Sequence, residues 1–169
     1  MRNLLASLGL LALLGAPTAA LATPNDEISQ LRMIESKFAT AMNDKDLDAV
    51  MVLYAPGSSL FVFDVVGPPS VHSGWEQYRE AFKHMFASID GPLRLTMSDL
   101  DVKVSGDVAY SRSLQRVSGI RAKSRKPFDY TVRVTDVYRK IDDKWLIVQE
   151  HLSLPIERNT FTPMLHSPD

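Results

Sequence analysis

The spacing of apolar positions changes character along the chain. Ile28, Leu31, Ile34, Phe38 and Met42 recur at three- and four-residue intervals, which places them on one face of an α-helix. Asp26, just ahead of them, is a residue type that caps helix N-termini. The polar run Asn43–Asp46 breaks this helix, and Leu47, Val50, Met51 and Tyr54 mark a second one, ended by Ala55-Pro56-Gly57. The stretch "SSLFVFDVV" reads as a strand, and Gly67-Pro68-Pro69-Ser70 as a turn, because proline cannot donate to a central ladder. Ser73-Gly74 opens a third helix with Trp75, Tyr78, Phe82, Met85 and Phe86 on one side, and Asp90-Gly91-Pro92 is expected to stop it.

Beyond Pro92 the period becomes two. Strands are predicted at about 93–104, 107–118, 128–141 and 144–154, with tight turns at Ser105-Gly106-Asp107 and Asp142-Asp143-Lys144. A longer loop joins the middle pair. Helices followed by an antiparallel meander predict one α+β domain over residues 23–156, a sheet with helices on one face. Residues 157–169 show no periodicity and are expected to form a loose tail.

Alternation sorts the last three strands into two faces. One collects Tyr110, Arg112, Leu114, Val132, Val134, Asp136, Tyr138, Leu146, Val148, Glu150, Leu152 and Leu154, mostly apolar with one ionisable group near the middle of each strand. The other collects Ser111, Ser113, Gln115, Thr131, Arg133, Thr135, Gln149, His151 and Ser153. Register decides how these sets meet. A three-residue turn centred on Asp143 would set Asp136 opposite Glu150, and a hairpin centred on Ser124 would set Arg112 opposite Asp136. A two-residue Asp142-Asp143 turn would group Glu150 with Arg133 instead. The first arrangement matches apolar face to apolar face and is the one expected. It makes the Arg112–Asp136–Glu150 row part of an inner, helix-covered face.

Composition narrows the function. The chain has 169 residues, no cysteine and a net charge of −1. Thiol catalysis and cysteine-ligated metals are excluded, and the four histidines show no metal-binding spacing. No metal or cofactor is implied. The charge gives no support to a nucleic-acid partner. The basic run Arg121–Lys126 reads as a solvated hairpin loop. Residues 1–22 carry a basic Arg2, an apolar run from Leu4 to Leu14 and Ala20-Leu21-Ala22, the signature of a secretory signal peptide. A periplasmic or secreted protein follows, without stable membrane insertion once the leader is removed.

The stretches "FATAMNDKDLDAVMVLYAPGSSLFVFDVVGPP", "GWEQYREAF" and "RVTDVYRKIDDKWLIVQEHLSLP" resemble the NTF2-like superfamily, nearest its SnoaL-like, ketosteroid-isomerase-related branch. The resemblance covers about residues 28–156. It implies a cone: a curved antiparallel sheet wrapped around a pocket, closed by the N-terminal helices and commonly dimeric through the outer sheet face. Ketosteroid isomerase uses an Asp base and an oxyanion hole of a Tyr and a protonated Asp. By resemblance the base falls near Asp64 and the oxyanion Asp on Asp136. The oxyanion Tyr falls on Phe38, which has no hydroxyl, so that mechanism loses a donor worth roughly a hundredfold in rate.

The acid–base candidates are therefore Glu150, Asp136 and Asp64. Glu150 in an apolar surround would titrate near neutrality, and the competing reading is a carboxylate neutralised by Arg112. Arg112 could anchor an anionic ligand through its planar fork. Tyr110, Phe38, His72, Trp75, Tyr78, Phe82, Val134, Val148 and Leu152 are the expected pocket lining, although Tyr78 and Phe82 also fit plain core. Arg133, Thr135, Gln149, His151 and Ser153 are expected at an outer-face interface. The functional expectation is a pocket for a small, mostly apolar molecule, with proton-transfer isomerisation or dehydration as its chemistry. The alternative is a non-catalytic, dimeric binding or assembly domain.

Overall fold

A computed structural model describes residues 23–66 and 71–166. The predicted leader and the Gly67–Ser70 turn lie outside the described residues. Helix α1 runs Pro24–Asp44, α2 Leu47–Met51 and α3 Trp75–Ala87. The strands are β1 (Phe61–Phe63), β2 (Val71–Ser73), β3 (Ile89–Ser105), β4 (Val108–Arg121), β5 (Pro127–Ile141) and β6 (Lys144–Ser153). They form one sheet in the order β2-β1-β6-β5-β4-β3. Neighbours are antiparallel except β1 and β6, which run parallel, so the sheet is mixed rather than wholly antiparallel. It is curved and does not close.

The cap of α1 is Thr23, not Asp26. Thr23 Oγ1 accepts from the Asp26 backbone N–H, and the Asp26 carboxylate accepts from the Thr23 N–H in return, a reciprocal capping box. Lys45 ends the helix in a left-handed conformation, with φ 52°. Beside it, Asn43 clasps the sheet: its Oδ1 accepts from Leu95 N (2.6 Å) and its Nδ2 donates to Leu95 O (3.2 Å). Leu31, Phe38 and Met42 are buried against the concave sheet face, each burial contributing about 1.5–3 kcal/mol.

Asp90-Gly91-Pro92 does not stop the chain between elements. It lies inside β3, at the first of two register breaks, between Asp90 and Arg94 and between Ser98 and Asp101. Bulges bend a strand, and these two let the 17-residue β3 curl along α1.

Register departs from expectation twice. Asp142 and Asp143 both have positive φ (48° and 60°), and Ile141 pairs with Lys144, so the β5–β6 turn is the two-residue kind. A bulge at Val148 then restores the shift. Tyr138 pairs with Ile147, whereas Val137 pairs with Gln149 and Asp136 with Glu150. Trp145 and Ile147 are inward near the turn, and Glu150 is inward beyond the bulge. In the β4–β5 hairpin, Ser111 rather than Arg112 pairs with Asp136. That one-residue difference flips every β4 side chain. Ala109, Ser111, Ser113, Gln115 and Val117 are buried, while Tyr110, Arg112 and Arg116 point outward.

Of the expected loose tail, residues 157–166 are tied down rather than loose, and 167–169 lie outside the described residues. Ile156 bridges Pro163, Met164 N donates to Pro155 O, and Thr131 N donates to Leu165 O (2.8 Å).

Candidate functional site

The concave sheet face, α1 and α3 enclose a cavity of about 530 Å³, within the range of small-molecule sites. Phe38 and Met42 from α1, Tyr78 and Phe82 from α3, and Val117, Val132 and Leu152 from the sheet give it apolar walls. Gln115, Glu150, Asp64 and His72 add polar groups. Tyr54, Tyr78, Phe82 and Phe38 pack edge-on or tilted against one another, with ring centroids 4.6–6.4 Å apart along the chain of contacts. Such packing fixes ring orientation and so fixes the phenol oxygens.

Both phenols aim at Glu150. Tyr78 donates to Oε1 at 2.6 Å and Tyr54 to Oε2 at 2.5 Å. Burial pushes the Glu150 carboxyl up to about 7, against the lowering effect of the two phenol bonds and with a further upward push from the Asp64 and Glu35 carboxylates. The two tyrosines are correspondingly held far above the usual phenol range, by burial and by the Glu150 charge. Glu150 thus sits between protonated and ionised near neutrality, with a lone pair on each oxygen left over from the phenol bonds.

Behind Glu150 lies a second polar cluster. Asp136 neighbours it across β5 and β6, and Glu35 of α1 reaches the same layer. Glu35 Oε1 accepts from Ser111 Oγ (2.7 Å) and from the Tyr138 hydroxyl. Asp136 Oδ2 lies 3.4 Å from Ser111 Oγ, and its Oδ1 is buried without a hydrogen-bond partner. Burial and the Glu150 and Glu35 charges push the Asp136 carboxyl well above the usual range. Among the described residues no Lys or Arg pairs with any of these three carboxyls. An uncompensated buried carboxylate is costly, so these surroundings favour the neutral acid form of Asp136.

Asp64 and His72 form a third group at the cavity wall. His72 Nε2 is 3.5 Å from Asp64 Oδ2, and Asp64 Oδ1 accepts from the backbone N–H of Val65 (2.6 Å). The His72 and Tyr78 rings stand 5.4 Å apart, which brings this pair beside the Glu150 phenols.

Of the candidates read from the sequence, Glu150, Asp64, Phe38, His72, Tyr78, Phe82 and Leu152 line the cavity. Asp136 and Val134 are buried outside its lining, and Val148 is the bulged residue. Trp75 is turned away, with its Nε1 donating to Met51 O at 2.9 Å. Arg112 and Tyr110 are corrections. The β4 flip puts both on the outer face, where the Arg112 side chain is 71% exposed and pairs with Asp101. Arg112 therefore neither neutralises Glu150 nor anchors a ligand inside. Arg133, Thr135, Gln149 and His151 are exposed on that outer face, and Ser153 is half-buried.

Glu35 and Tyr54 escaped the sequence reading. Glu35 falls between Leu31 and Phe38 at i+4 and i−3, squarely on the apolar stripe of α1; a carboxylate in that position was the available signal. Tyr54 looked like another stripe residue, and nothing local distinguishes a phenol whose hydroxyl meets a carboxylate 96 residues away.

The open, curved, mixed sheet with helices closing its concave side defines an NTF2-like α+β cone. Within that class the chain belongs to the SnoaL-like domain family, whose pattern matches residues 32–157. An NTF2-like protein of unknown function from Pseudomonas putida KT2440 superposes with a TM-score of 0.75 at 21% identity, covering 86% of this chain and 98% of that one. A dehydratase candidate of the NTF2-like family from Streptomyces avermitilis gives 0.69 at 17% identity, covering 85% and 100%. The association domain of CaMKII from C. elegans gives 0.60 at 18% identity, covering 77% and 97%. Similarities at these identities establish the fold. No curated protein matches the chain. Among the described residues no helix is long and apolar enough to cross a membrane.

Proposed function

We propose that the protein binds a small, mostly apolar molecule in this cavity and transfers a proton on it, as an isomerisation or a dehydration requires. The observation that carries this reading is Glu150: a buried carboxyl facing the cavity, poised near pH 7 and held by two phenols. A general base works best when its pKa lies near the working pH. Ionised Glu150 would take a proton from a carbon beside a carbonyl, and Tyr54 would keep its bond to the carboxylic acid that results. Tyr78, which also faces the cavity, would be released from Glu150 as that charge is lost and turn its one O–H to the charge developing on the substrate oxygen. The leader-like residues 1–22 support a periplasmic or secreted setting.

The test is deuterium exchange. A panel of cavity-sized ketones and enones in D2O, followed by NMR, should show protein-catalysed C–H exchange that drops at least about a hundredfold in Glu150→Gln, the scale of a lost general base. Exchange that the substitution leaves untouched would remove Glu150 from the chemistry.

A second reading, a dimeric binding or assembly domain, has its own observation. Phe61 and Phe63 are 37% and 41% exposed on the outer face, stacked edge-on at 5.0 Å, with His151 5.3 Å from Phe63. An apolar patch of this kind at a sheet face suits association with a second copy.

A further inference from the structure

The cavity lining holds the buried Glu150 carboxyl and, among the described residues, one Lys or Arg, Arg121. Arg121, the last residue of β4, lines the cavity rim. Its guanidinium carbon stands 5.1 Å from the centroid of the Phe128 ring. Phe128 in turn lies over Gly119, its partner across the β4–β5 ladder. A Cβ at Gly119 would stand 3.0 Å from Phe128 Cζ, so the ring would have to shift by a few tenths of an ångström. The missing side chain at Gly119 leaves room for the ring in its present place beside the guanidinium. Two neighbouring arginines are already engaged, Arg125 with Asp90 and Arg116 with Asp129, while Lys126, whose carbonyl accepts from Arg121 N, is on the exposed loop and outside the cavity lining. Arg121 has no carboxylate within ion-pair distance among the described residues. Asp64, the acid other than Glu150 in the cavity lining, is committed to His72 and to backbone N–H groups.

We propose that the ligand is an amphipathic carboxylic acid, its carboxylate forked on Arg121 at the rim and its apolar body lying along the cavity toward Glu150. A lone planar guanidinium matches a planar monoanion through two parallel hydrogen bonds. Reversed entry is disfavoured, because it would set the carboxylate against Glu150, largely ionised at pH 7.5. This inference deepens the proton-transfer reading of the same cavity and rests on it only for which end of the ligand reacts; the anchoring stands by itself.

Calorimetry with 4-phenylbutyrate and its neutral counterpart 4-phenylbutan-1-ol at pH 7.5 tests it. The acid should bind about fivefold or more tighter than the alcohol, a preference that shrinks as salt rises. Arg121→Ala should bring the ratio to about one, Arg121→Lys should restore part of it, and Lys123→Ala, on the exposed loop, should leave it unchanged. Gly119→Ala, which shifts the Phe128 ring, should lower the ratio without abolishing alcohol binding. Equal binding of acid and alcohol to the unaltered protein, no binding of either at millimolar concentration, or a preference that survives Arg121→Ala would each overturn the inference. If Glu150 titrates near 4 while the acid preference persists, the proton-transfer reading falls and the anchor stands.

Discussion

Replacing Glu150 by glutamine should flatten the dependence of stability on pH. In the folded protein this carboxyl titrates at about 7, against 4.5 for the free side chain. Between those values the native state keeps a proton that the unfolded chain has released. The stabilisation from that proton is complete below about 4.5 and is lost as pH rises through about 7. A gap of about 2.5 pH units, at about 1.4 kcal/mol each, amounts to about 3–4 kcal/mol, most of it lost between pH 5 and 8.5. Asp136, also pushed upward, works in the same direction. Glutamine keeps the shape of the side chain and one acceptor for a phenol, but it carries no charge at any pH. Urea unfolding at half-unit steps from pH 5 to 8.5 should show the unaltered protein losing about 3 kcal/mol relative to Glu150→Gln, with the m-value unchanged. Parallel curves over that range would mean that Glu150 is ionised throughout, and the argument from its burial would be wrong. A 13C titration of the Glu150 carboxyl would give the same answer directly, with a midpoint near 4 as the refuting value.

Three further outcomes follow from the same contacts. Tyr78→Phe removes one donor to the Glu150 carboxylate, so the carboxyl midpoint should move up by roughly one pH unit, read by the same 13C titration. Tyr138→Phe leaves the buried Glu35 with Ser111 as its remaining hydroxyl donor; about 1–3 kcal/mol of stability should be lost in urea unfolding, without a cavity to explain it. Phe63→Glu should disperse any self-association through the outer face, and sedimentation of the two proteins at matched concentration reads this; a monomer in both cases would sink the assembly reading.

What the sequence determined was local and periodic. The three- and four-residue spacing of Leu31, Phe38 and Met42 gave α1, and the alternation past Pro92 gave the long strands, because both patterns are written in neighbouring residues. The quoted stretches also carried enough of the family pattern to place the chain among SnoaL-like domains. The inward face of β5, with Val132, Val134 and Asp136, was legible for the same reason. Only the tertiary structure decided register. The β4–β5 hairpin pairs Ser111 with Asp136, one residue from the expected partner, and that step sends Arg112 to solvent and Gln115 into the cavity. The β5–β6 turn took the two-residue form, yet the bulge at Val148 returned Glu150 to the inside. A strand's hydrophobic pattern has period two, so it cannot distinguish a slip of one from a turn plus a bulge; the two differ only in what the opposite strand and the covering helix present. Glu35 and Tyr54 became part of the site on the same terms, since their hydroxyl and carboxyl partners lie 76 to 103 residues away along the chain and are brought within reach only by the closed layer of helix on sheet.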